Sequence, residues 1–316
     1  MKVYRNLSEF TPLNKAVVTV GTFDGVHRGH QVLLNRINAV AKEAGGESVL
    51  LTFHPHPRLV LFPDDNDLRL LTTLEEKIAL LEASGIEHLI VHPFSLAFSR
   101  TSVETYVRDI LVRGIGVHKL VIGYDHHFGR NREGSLENLR KAAPLNGFEV
   151  EEIPARMIDD VNVSSTKIRN ALREGRVESA NEFLGYPYAV HGRVVKGNEI
   201  GRALGFPTAN LLPNAPEKLI PGEGVYAVKV HFEGRLYHGM ANVGRRPTVA
   251  APDSPLVTEV HIFGFSSDLY GKNLRLTFHG RIRDEVKFED TEALREQIEK
   301  DATAARNLLA DSPFAD

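Results

Sequence analysis

The sequence predicts two domains of different class, an α/β domain with a parallel sheet and then an antiparallel β-barrel with a C-terminal helix. The length of 316 residues suits two domains at roughly 150 residues each. In the first half, apolar strands alternate with helical segments, which is typical of a parallel sheet covered by helices. In the second half, short strands follow one another without helices between them. The pattern changes at Gly185–Pro187, so we predict domains over residues 1–185 and 186–316.

The first half begins its alternation with Ala16–Val20, an apolar, β-branched strand that ends before Gly21. A helix should follow it and stop at Gly45. The later predicted elements of this half are strands at Ser48–Phe53, Leu89–Val91 and Leu120–Ile122, and helices near Leu74–Ala83 and Val103–Val112. Nearly all-apolar strands indicate a parallel sheet buried on both faces, whose ligands bind beyond the carboxyl ends of the strands. We therefore expect the chemistry in the loops after Val20, Phe53 and Ile122.

The second half carries period-two patterns, and Glu233-Gly234 is a plausible hairpin turn between two of the strands. A final amphipathic helix should place Leu294, Ile298, Ala305 and Leu308 on related faces. The predicted strands are Val190–Val195, Val225–Phe232, Leu236–Val243, Val257–Phe263 and Leu274–Phe278.

Composition narrows the class of protein. The net charge of −3 gives no broad basic field, so we expect neither nucleic acid nor a membrane as a partner. The absence of cysteine excludes disulfides and thiolate nucleophiles and fits a cytoplasmic location. Met1–Leu13 does not resemble a signal peptide, and no apolar run approaches the ~20 residues of a membrane helix.

A glycine-rich segment with two histidines, Gly21–His30, joins the first strand to the first helix. His27 and His30 are three positions apart and therefore share one face of the helix. They stand at its N-terminus, where free backbone N–H groups and the helix dipole attract anions. Glycines at 21, 25 and 29 allow close approach of the backbone to a ligand. The segment predicts a phosphate site, whereas a single histidine here would more often be a surface residue.

A second glycine-rich stretch, Val195–Asn210, is typical of a loop that could cover phosphates. Thr208 and Asn210 offer the hard oxygen ligands that magnesium prefers. By itself this pattern fits a structural hairpin better than a phosphate-binding loop. Gly271-Lys272 is not a phosphate-binding P-loop, because Asn273 follows where a hydroxyl residue is required.

The two segments, taken with their neighbours, resemble one known family. Gly21–His30 resembles the His-x-Gly-His signature of the nucleotidyltransferase superfamily. The further segments that match the FMN adenylyltransferase module of the bacterial bifunctional riboflavin kinase/FAD synthetases are Thr52–Pro57, Gly123–Gly129 and Val163–Arg169. Pro207–Asn210 resembles the Pro-Thr-Ala-Asn region of riboflavin kinases, and further matches are Asn242–Thr248, Asp268–Gly271 and Arg281–Glu285. The resemblance covers nearly the whole chain.

The resemblance implies a Rossmann-like nucleotidyltransferase domain and a riboflavin kinase barrel that together make FAD. Riboflavin would be phosphorylated by ATP to FMN, and FMN would then take the adenylyl group of a second ATP, releasing pyrophosphate; Mg²⁺ would assist. By resemblance, His27, His30 and Arg169 act on the phosphates of ATP, and Glu259 takes the proton of the riboflavin 5′-hydroxyl. The other implied ATP-binding residues are Gly21, Phe23, Asp24, Asp125, Ser164, Thr166, Gly197, Gly201, Thr208 and Asn210, the last two also as magnesium ligands. The implied flavin-binding residues are His56, Phe128 and Arg283.

Two other functions remain open from the residues alone. A zinc hydrolase could use the histidines at 27, 30, 54, 56, 126 and 127, although no zinc-binding spacing is present. A flavin-sensing regulator could keep the fold and lose one activity. Glu259 could also be a solvent-facing strand residue, which period-two alternation readily produces.

Overall fold

The computed structural model describes residues 1–64, 68–123, 136–154, 163–197, 205–245 and 256–314. The chain divides into two compact units, Met1–Ser164 and Ser165–Asp316. Residues 165–185 therefore group with the barrel. One contact that joins them to it is the hydrogen bond from the Asn181 amide to the Phe278 carbonyl, at 2.8 Å. The functional boundary at residues 185 and 186 stays a prediction.

The first unit contains, in its described part, a six-stranded parallel sheet in the order β1-β4-β3-β2-β5-β6. Its strands are β1 (Lys2–Tyr4), β2 (Ala16–Val20), β3 (Glu47–His54), β4 (His88–Pro93), β5 (Val117–Gly123) and β6 (Glu149–Ile153). Its helices are α1 (Arg28–Ala44), α2 (Pro57–Leu61), α3 (Leu74–Ala83), α4 (Leu96–Ser99), α5 (Val103–Thr105), which continues as a π-helix (Tyr106–Ile115), and α6 (Leu136–Leu145). This confirms the predicted α/β class.

The sheet is covered on both faces, and its central strand β2 is apolar except for Thr19. All five residues of β2 are buried. Val18 packs into a core that includes Leu111 of the π-helix, and Val17 packs into a second core with Leu34 and Ile37 of α1. Successive residues enter different cores because the side chains of a strand point alternately to its two faces.

The second unit contains a closed antiparallel barrel in the order β10-β11-β8-β7-β12-β9. Its strands are β7 (Tyr188–Val195), β8 (Ala209–Pro213), β9 (Gly224–Phe232), β10 (Arg235–Arg245), β11 (Leu256–Ile262) and β12 (Asn273–Arg283), and helices α7 (Ser165–Arg173) and α8 (Val177–Leu184) precede them. Glu233 and Gly234 form the predicted turn, with φ of 48° and 74° as a type I′ hairpin requires. The predicted loop Val195–Asn210 is wrong at its C-terminal end, since Ala209 and Asn210 belong to strand β8 and pair with β11.

The C-terminal helix α9 (Thr291–Ala310) packs on the barrel as predicted. Its buried face contains Ala302, Ala305 and Leu309, whereas the predicted Leu308 is 39% exposed. No helix in the described parts of the chain is long and apolar enough to cross a membrane.

Candidate active sites

The first site lies at the carboxyl edge of three neighbouring strands. β3, β2 and β5 lie side by side and parallel, so the loops that follow them begin at the same edge of the sheet. The chain builds the sheet outward in opposite directions from β2, which places the crevice of a doubly wound fold beside that strand. The loop after β2, Gly21–His27, enters α1 at this position.

His27 is the N-cap of α1. Its Nδ1 accepts a hydrogen bond from the backbone N–H of His30 at 3.3 Å. Because Nδ1 is an acceptor, the proton of the neutral ring lies on Nε2, which is then a donor. The rings of His27 and His30 stack with centroids 3.6 Å apart and an interplanar angle of 15°. The two imidazoles therefore form one fixed unit at the helix start.

His30 is held in the neutral form. Burial lowers its pKa well below the ordinary value, and the charges of His27 and then Lys77 lower it further. Its Nδ1 is buried and has no hydrogen-bond partner among the described residues. Buried polar atoms without partners are rare in proteins, so this nitrogen is a candidate for contact with a ligand.

The backbone of this loop is strained. Phe23 has a φ of 47° and Val26 a φ of 34°, although β-branched and bulky residues rarely adopt positive φ. Gly21 is required where it stands, because a Cβ there would lie 2.9 Å from the Phe23 ring. Strain of this kind persists only where the surroundings enforce it, and it clusters at functional sites.

Asp24 turns away from solvent and into the protein. The side chain is 2% exposed, and its carboxylate accepts the backbone N–H groups of Leu71 at 3.0 Å and Thr72 at 3.1 Å. These contacts tie the loop to the segment that precedes α3. The binding of ATP by Asp24 stays a prediction.

The remaining predicted residues of this site lie in several places. His56 caps α2, with its Nδ1 accepting the Arg58 N–H at 3.2 Å. Ser164 follows Val163, whose side chain would lie 3.3 Å from a Cβ on Gly29 in α1. Thr166 and Arg169 belong to α7 in the second unit. Asp125 and Phe128 lie outside the described residues.

Sequence reasoning missed Lys77, which is 6% exposed and donates from Nζ to the Thr22 carbonyl at 2.7 Å. A signal was available, because Lys77 shares the helical spacing of the apolar residues Leu74, Ile78 and Leu81 on α3. A lysine at a core-facing position is unusual enough to mark a buried role.

A group of three aromatic rings lies at the ends of β3 and β4. Phe53 lies 5.7 Å from Phe94 and 5.5 Å from Phe98, measured between ring centroids. All three residues are half-buried. They form an apolar surface close to the carboxyl edge of the sheet.

The second site lies on the barrel, where Glu259 of β11 is paired with Asn210 of β8 on one side and Asn242 of β10 on the other. Directly paired residues of antiparallel strands share one face of the sheet. The three polar side chains therefore stand in one row, and Glu259 is half-buried.

Asn210 is 4% exposed, and its Oδ1 has no hydrogen-bond partner among the described residues. The backbone of Gly197 covers this amide so closely that a Cβ there would lie 2.0 Å from the Asn210 Nδ2. Thr208 lies beside a cavity of about 620 Å³ that Val260, Asp268 and Tyr270 also line. Gly201 lies outside the described residues.

Two charged groups border this row. Asn242 hydrogen-bonds to Glu285, and burial raises the pKa of Glu285. The guanidinium of Arg283 contacts the Asp301 carboxylate of α9, at 3.0 Å from Nε and 2.8 Å from Nη2. These bonds hold strand β12 to the helix, and the binding of flavin by Arg283 stays a prediction.

The metal-site alternative receives no support from the described residues, where no group of three His, Asp or Glu side chains is placed to hold a metal ion.

Comparison with known proteins matches each part of the chain to an enzyme family. The FAD synthetase family model matches residues 10–167, and the riboflavin kinase family model matches residues 184–309. The bifunctional riboflavin kinase/FMN adenylyltransferase of Pseudomonas fluorescens is 38% identical over 99% of both chains. The Listeria monocytogenes protein of the same name is 38% identical over 96% of this chain and 95% of its own, and that of Escherichia coli is 37% identical over 98% of both.

A solved structure titled a macrolide-efflux protein from Streptococcus pneumoniae superposes with a TM-score of 0.87 at 31% identity, over 97% of this chain and 98% of its own. The family matches and the relatives agree over nearly the whole length of the chain. The chain belongs to the bifunctional riboflavin kinase/FMN adenylyltransferase family and is an enzyme of FAD synthesis with both catalytic domains present.

Proposed function

We propose that the barrel phosphorylates riboflavin to FMN and that the α/β unit transfers the adenylyl group of ATP to FMN. The observation that carries the proposal is the presence of two separate constellations, the stacked His27–His30 pair on α1 and the Glu259–Asn210 pair on the barrel. Each occupies a position suited to phosphate chemistry within a matched family domain.

In adenylyl transfer, an oxygen of the FMN phosphate forms a bond to the α-phosphorus of ATP, and the bond from that phosphorus to the pyrophosphate oxygen breaks. The nucleophile is already an anion at neutral pH, so the protein needs no strong base. It must align the reactants and stabilise the developing charge. His27 does so as a donor through Nε2, and the free N–H groups at the start of α1 add to it.

His30 supports the same step in a different way. Its unpartnered Nδ1 lies beside the stacked His27 ring, where a phosphate group or a bound water can complete its hydrogen bonding. We assign Arg169 to the outer phosphates on the resemblance of Val163–Arg169, since an arginine fork suits them. Gly21, Phe23, Ser164 and Thr166 keep their proposed contacts with ATP.

The flavin of FMN has an apolar tricyclic ring that needs an apolar surface. We place this ring near Phe53, Phe94 and Phe98. His56, three residues after Phe53, and Phe128, in the family-matching segment Gly123–Gly129, are proposed to contact it as well. Aromatic pairs in offset or edge contact each contribute about 0.5–1.5 kcal/mol beyond the area they bury.

In riboflavin phosphorylation, Glu259 accepts the proton of the 5′-hydroxyl while that oxygen bonds to the γ-phosphorus of ATP and ADP leaves. Phosphoryl transfer is largely dissociative, so a carboxylate is a sufficient base and positioning lowers most of the barrier. Asn210 stands directly across the strand pair from Glu259, which supports a role for both residues at one site.

Magnesium suits the oxygen donors of Asn210 and Thr208. Asn210 offers a buried amide oxygen with no described partner, and Thr208 offers a hydroxyl beside the cavity. These are the oxygen donors that Mg²⁺ prefers, and bound Mg²⁺ would neutralise charge on the phosphates of ATP. Gly197 would let the backbone close over the same amide.

The test is incubation of the purified chain with riboflavin, ATP and Mg²⁺, followed by chromatographic separation of FMN and FAD. Wild type should make both. The His27→Ala/His30→Ala double variant should stop at FMN, and the Glu259→Gln variant should make FAD only when FMN is supplied. A folded wild-type protein that makes neither flavin would refute the proposal. The cytoplasmic location stays a prediction, to be tested by cell fractionation.

A further inference from the structure

The first unit buries a lysine that the mechanism above does not use. Lys77 is 6% exposed, and the one hydrogen bond found for its Nζ among the described residues goes to the Thr22 carbonyl at 2.7 Å. Burial lowers the pKa of Lys77, and the nearby Asp24 carboxylate opposes that shift. A buried lysine is costly to keep, so its presence calls for a specific task.

Lys77 belongs to a set of contacts that all reach the same loop. The Thr72 hydroxyl accepts the Gly25 N–H at 3.2 Å and donates to the Asp24 carboxylate at 3.3 Å. The Asp24 carboxylate also accepts the N–H groups of Leu71 and Thr72. The segment Leu71–Lys77 thus holds the loop Gly21–Val26 at Thr22, Asp24 and Gly25.

The held loop is the strained one. It contains the positive φ values of Phe23 and Val26, and it ends where His27 caps α1. A strained conformation needs surrounding contacts to persist. Without them the loop would relax, and the direction from which it delivers His27 and His30 to the substrate would change.

We propose that Lys77 is a positioning residue for adenylyl transfer, which with Thr72 fixes the loop Gly21–Val26 so that His27 and His30 meet the phosphates. The proposal rests on the proposed function of the first unit. Lys77 acts through the loop backbone and is assigned no contact with ATP or FMN.

The test begins with Lys77→Met, which keeps the length and apolar stem of the side chain and removes the ammonium. A misplacement of about 1 Å at a reacting group can cost ~10²-fold in rate. We expect kcat for FAD formation from FMN to fall by about that factor, with KM for FMN and ATP within about threefold. The Gly25 amide should also lose protection from hydrogen exchange, measured on a peptide that spans residues 21–27.

The matched control is Thr73→Ala on the same helix. Thr73 caps α3 in a capping box with Glu76 and has no described contact with the loop. Its loss should lower the stability of α3 while kcat stays within about twofold of wild type, since caps contribute to helix stability and not to the loop. An equal fall in kcat for Thr73→Ala and Lys77→Met would show that Lys77 only stabilises the helix.

Rescue gives a readout that a general packing role would not produce. The chain contains no cysteine, so the single thiol introduced by Lys77→Cys can be alkylated selectively with 2-bromoethylamine. The reaction, carried out in denaturant and followed by refolding, restores an ammonium at nearly the original length, and wild type treated in parallel is the control. We expect recovery of most of the lost kcat, and no recovery would overturn the proposal.

Two further results separate the possible failures. If Lys77→Met does not fold, Thr72→Val becomes the deciding variant, because it removes the two hydrogen bonds of the Thr72 hydroxyl to Asp24 and Gly25. An unchanged kcat would refute the proposal. If wild type itself makes no FAD from FMN, the proposed function fails first. If wild type is active and Lys77→Met forms FAD from FMN with the same kcat, this inference is refuted and the proposed function is not.

Discussion

The double use of His27 can be separated by two substitutions at one position. Nδ1 of His27 caps α1, and Nε2 is assigned to the phosphates. Asparagine is among the best N-cap residues and alanine is among the poor ones. Both substitutions remove the imidazole and its stacking on His30, so the stacking loss is common to the two variants and the cap is the difference between them.

The magnitudes follow from the contacts. Loss of an N-cap costs about 1 kcal/mol, which shifts the melting temperature of a domain of this size by about 2–4 °C. Loss of a preorganised donor to developing charge costs about 10²–10³-fold in kcat. His27→Ala should therefore melt about 2–4 °C below His27→Asn, while both form FAD from FMN at least about 10²-fold more slowly than wild type.

The assay pairs thermal unfolding of the first unit with FAD formation from FMN. Riboflavin phosphorylation in the same preparation controls for the amount of folded protein, since it takes place in the other unit. A His27→Asn enzyme with wild-type activity would refute the assignment of Nε2. Equal melting temperatures for the two variants would refute the capping role.

Three more outcomes are expected. Glu259→Gln should lower kcat for riboflavin phosphorylation ~10²–10⁴-fold, measured as FMN formed, and leave FAD formation from FMN intact; a fall of only a few-fold would return Glu259 to a surface role. Asn210→Ala should raise the Mg²⁺ concentration needed for half-maximal phosphorylation, measured by magnesium titration, and an unchanged titration would contradict the ligand role. Stability should fall as the pH drops below ~6.5, because the lowered pKa values of His30 and His92 mean that the unfolded chain binds those protons more readily. His30→Gln should flatten that fall in thermal melts from pH 7 to 5, whereas an unchanged slope would show that His30 is not its source.

The sequence predicted the buried strands well and the edge strands poorly. β2 is apolar except at Thr19 because both of its faces are covered, so its pattern has one interpretation. β1 and β6 escaped prediction because they form the two edges of the sheet; β1 has three residues, and β6 (Glu149–Ile153) carries three glutamates. β1 forms by pairing with β4, and β6 forms by pairing with β5. Such tertiary contacts cannot be read from local sequence.

The site was predictable where chemistry requires a particular residue at a particular spacing. His27 and His30 show this, because three positions on a helix bring the rings together. The partners of Asp24 and Lys77 were not predictable, since they depend on a loop meeting a helix some fifty residues later in the chain. Asn210 resembles a loop residue because threonine, asparagine and glycine in one segment suggest turns, whereas its strand is fixed by neighbours on both sides.

The central place of β2 also sets the order in which the first unit can form on the ribosome. One edge of β2 pairs with β3, soon after it in the chain, while the other waits for β5, where Val18 meets Leu120. Roughly 100 residues separate these partners, which at 5–20 residues per second takes about 5–20 s of synthesis. Throughout that interval an apolar strand presents an open edge, the kind of surface that mispairs and recruits chaperones. The strand that carries the adenylyl-transfer loop is therefore a vulnerable segment of the nascent chain.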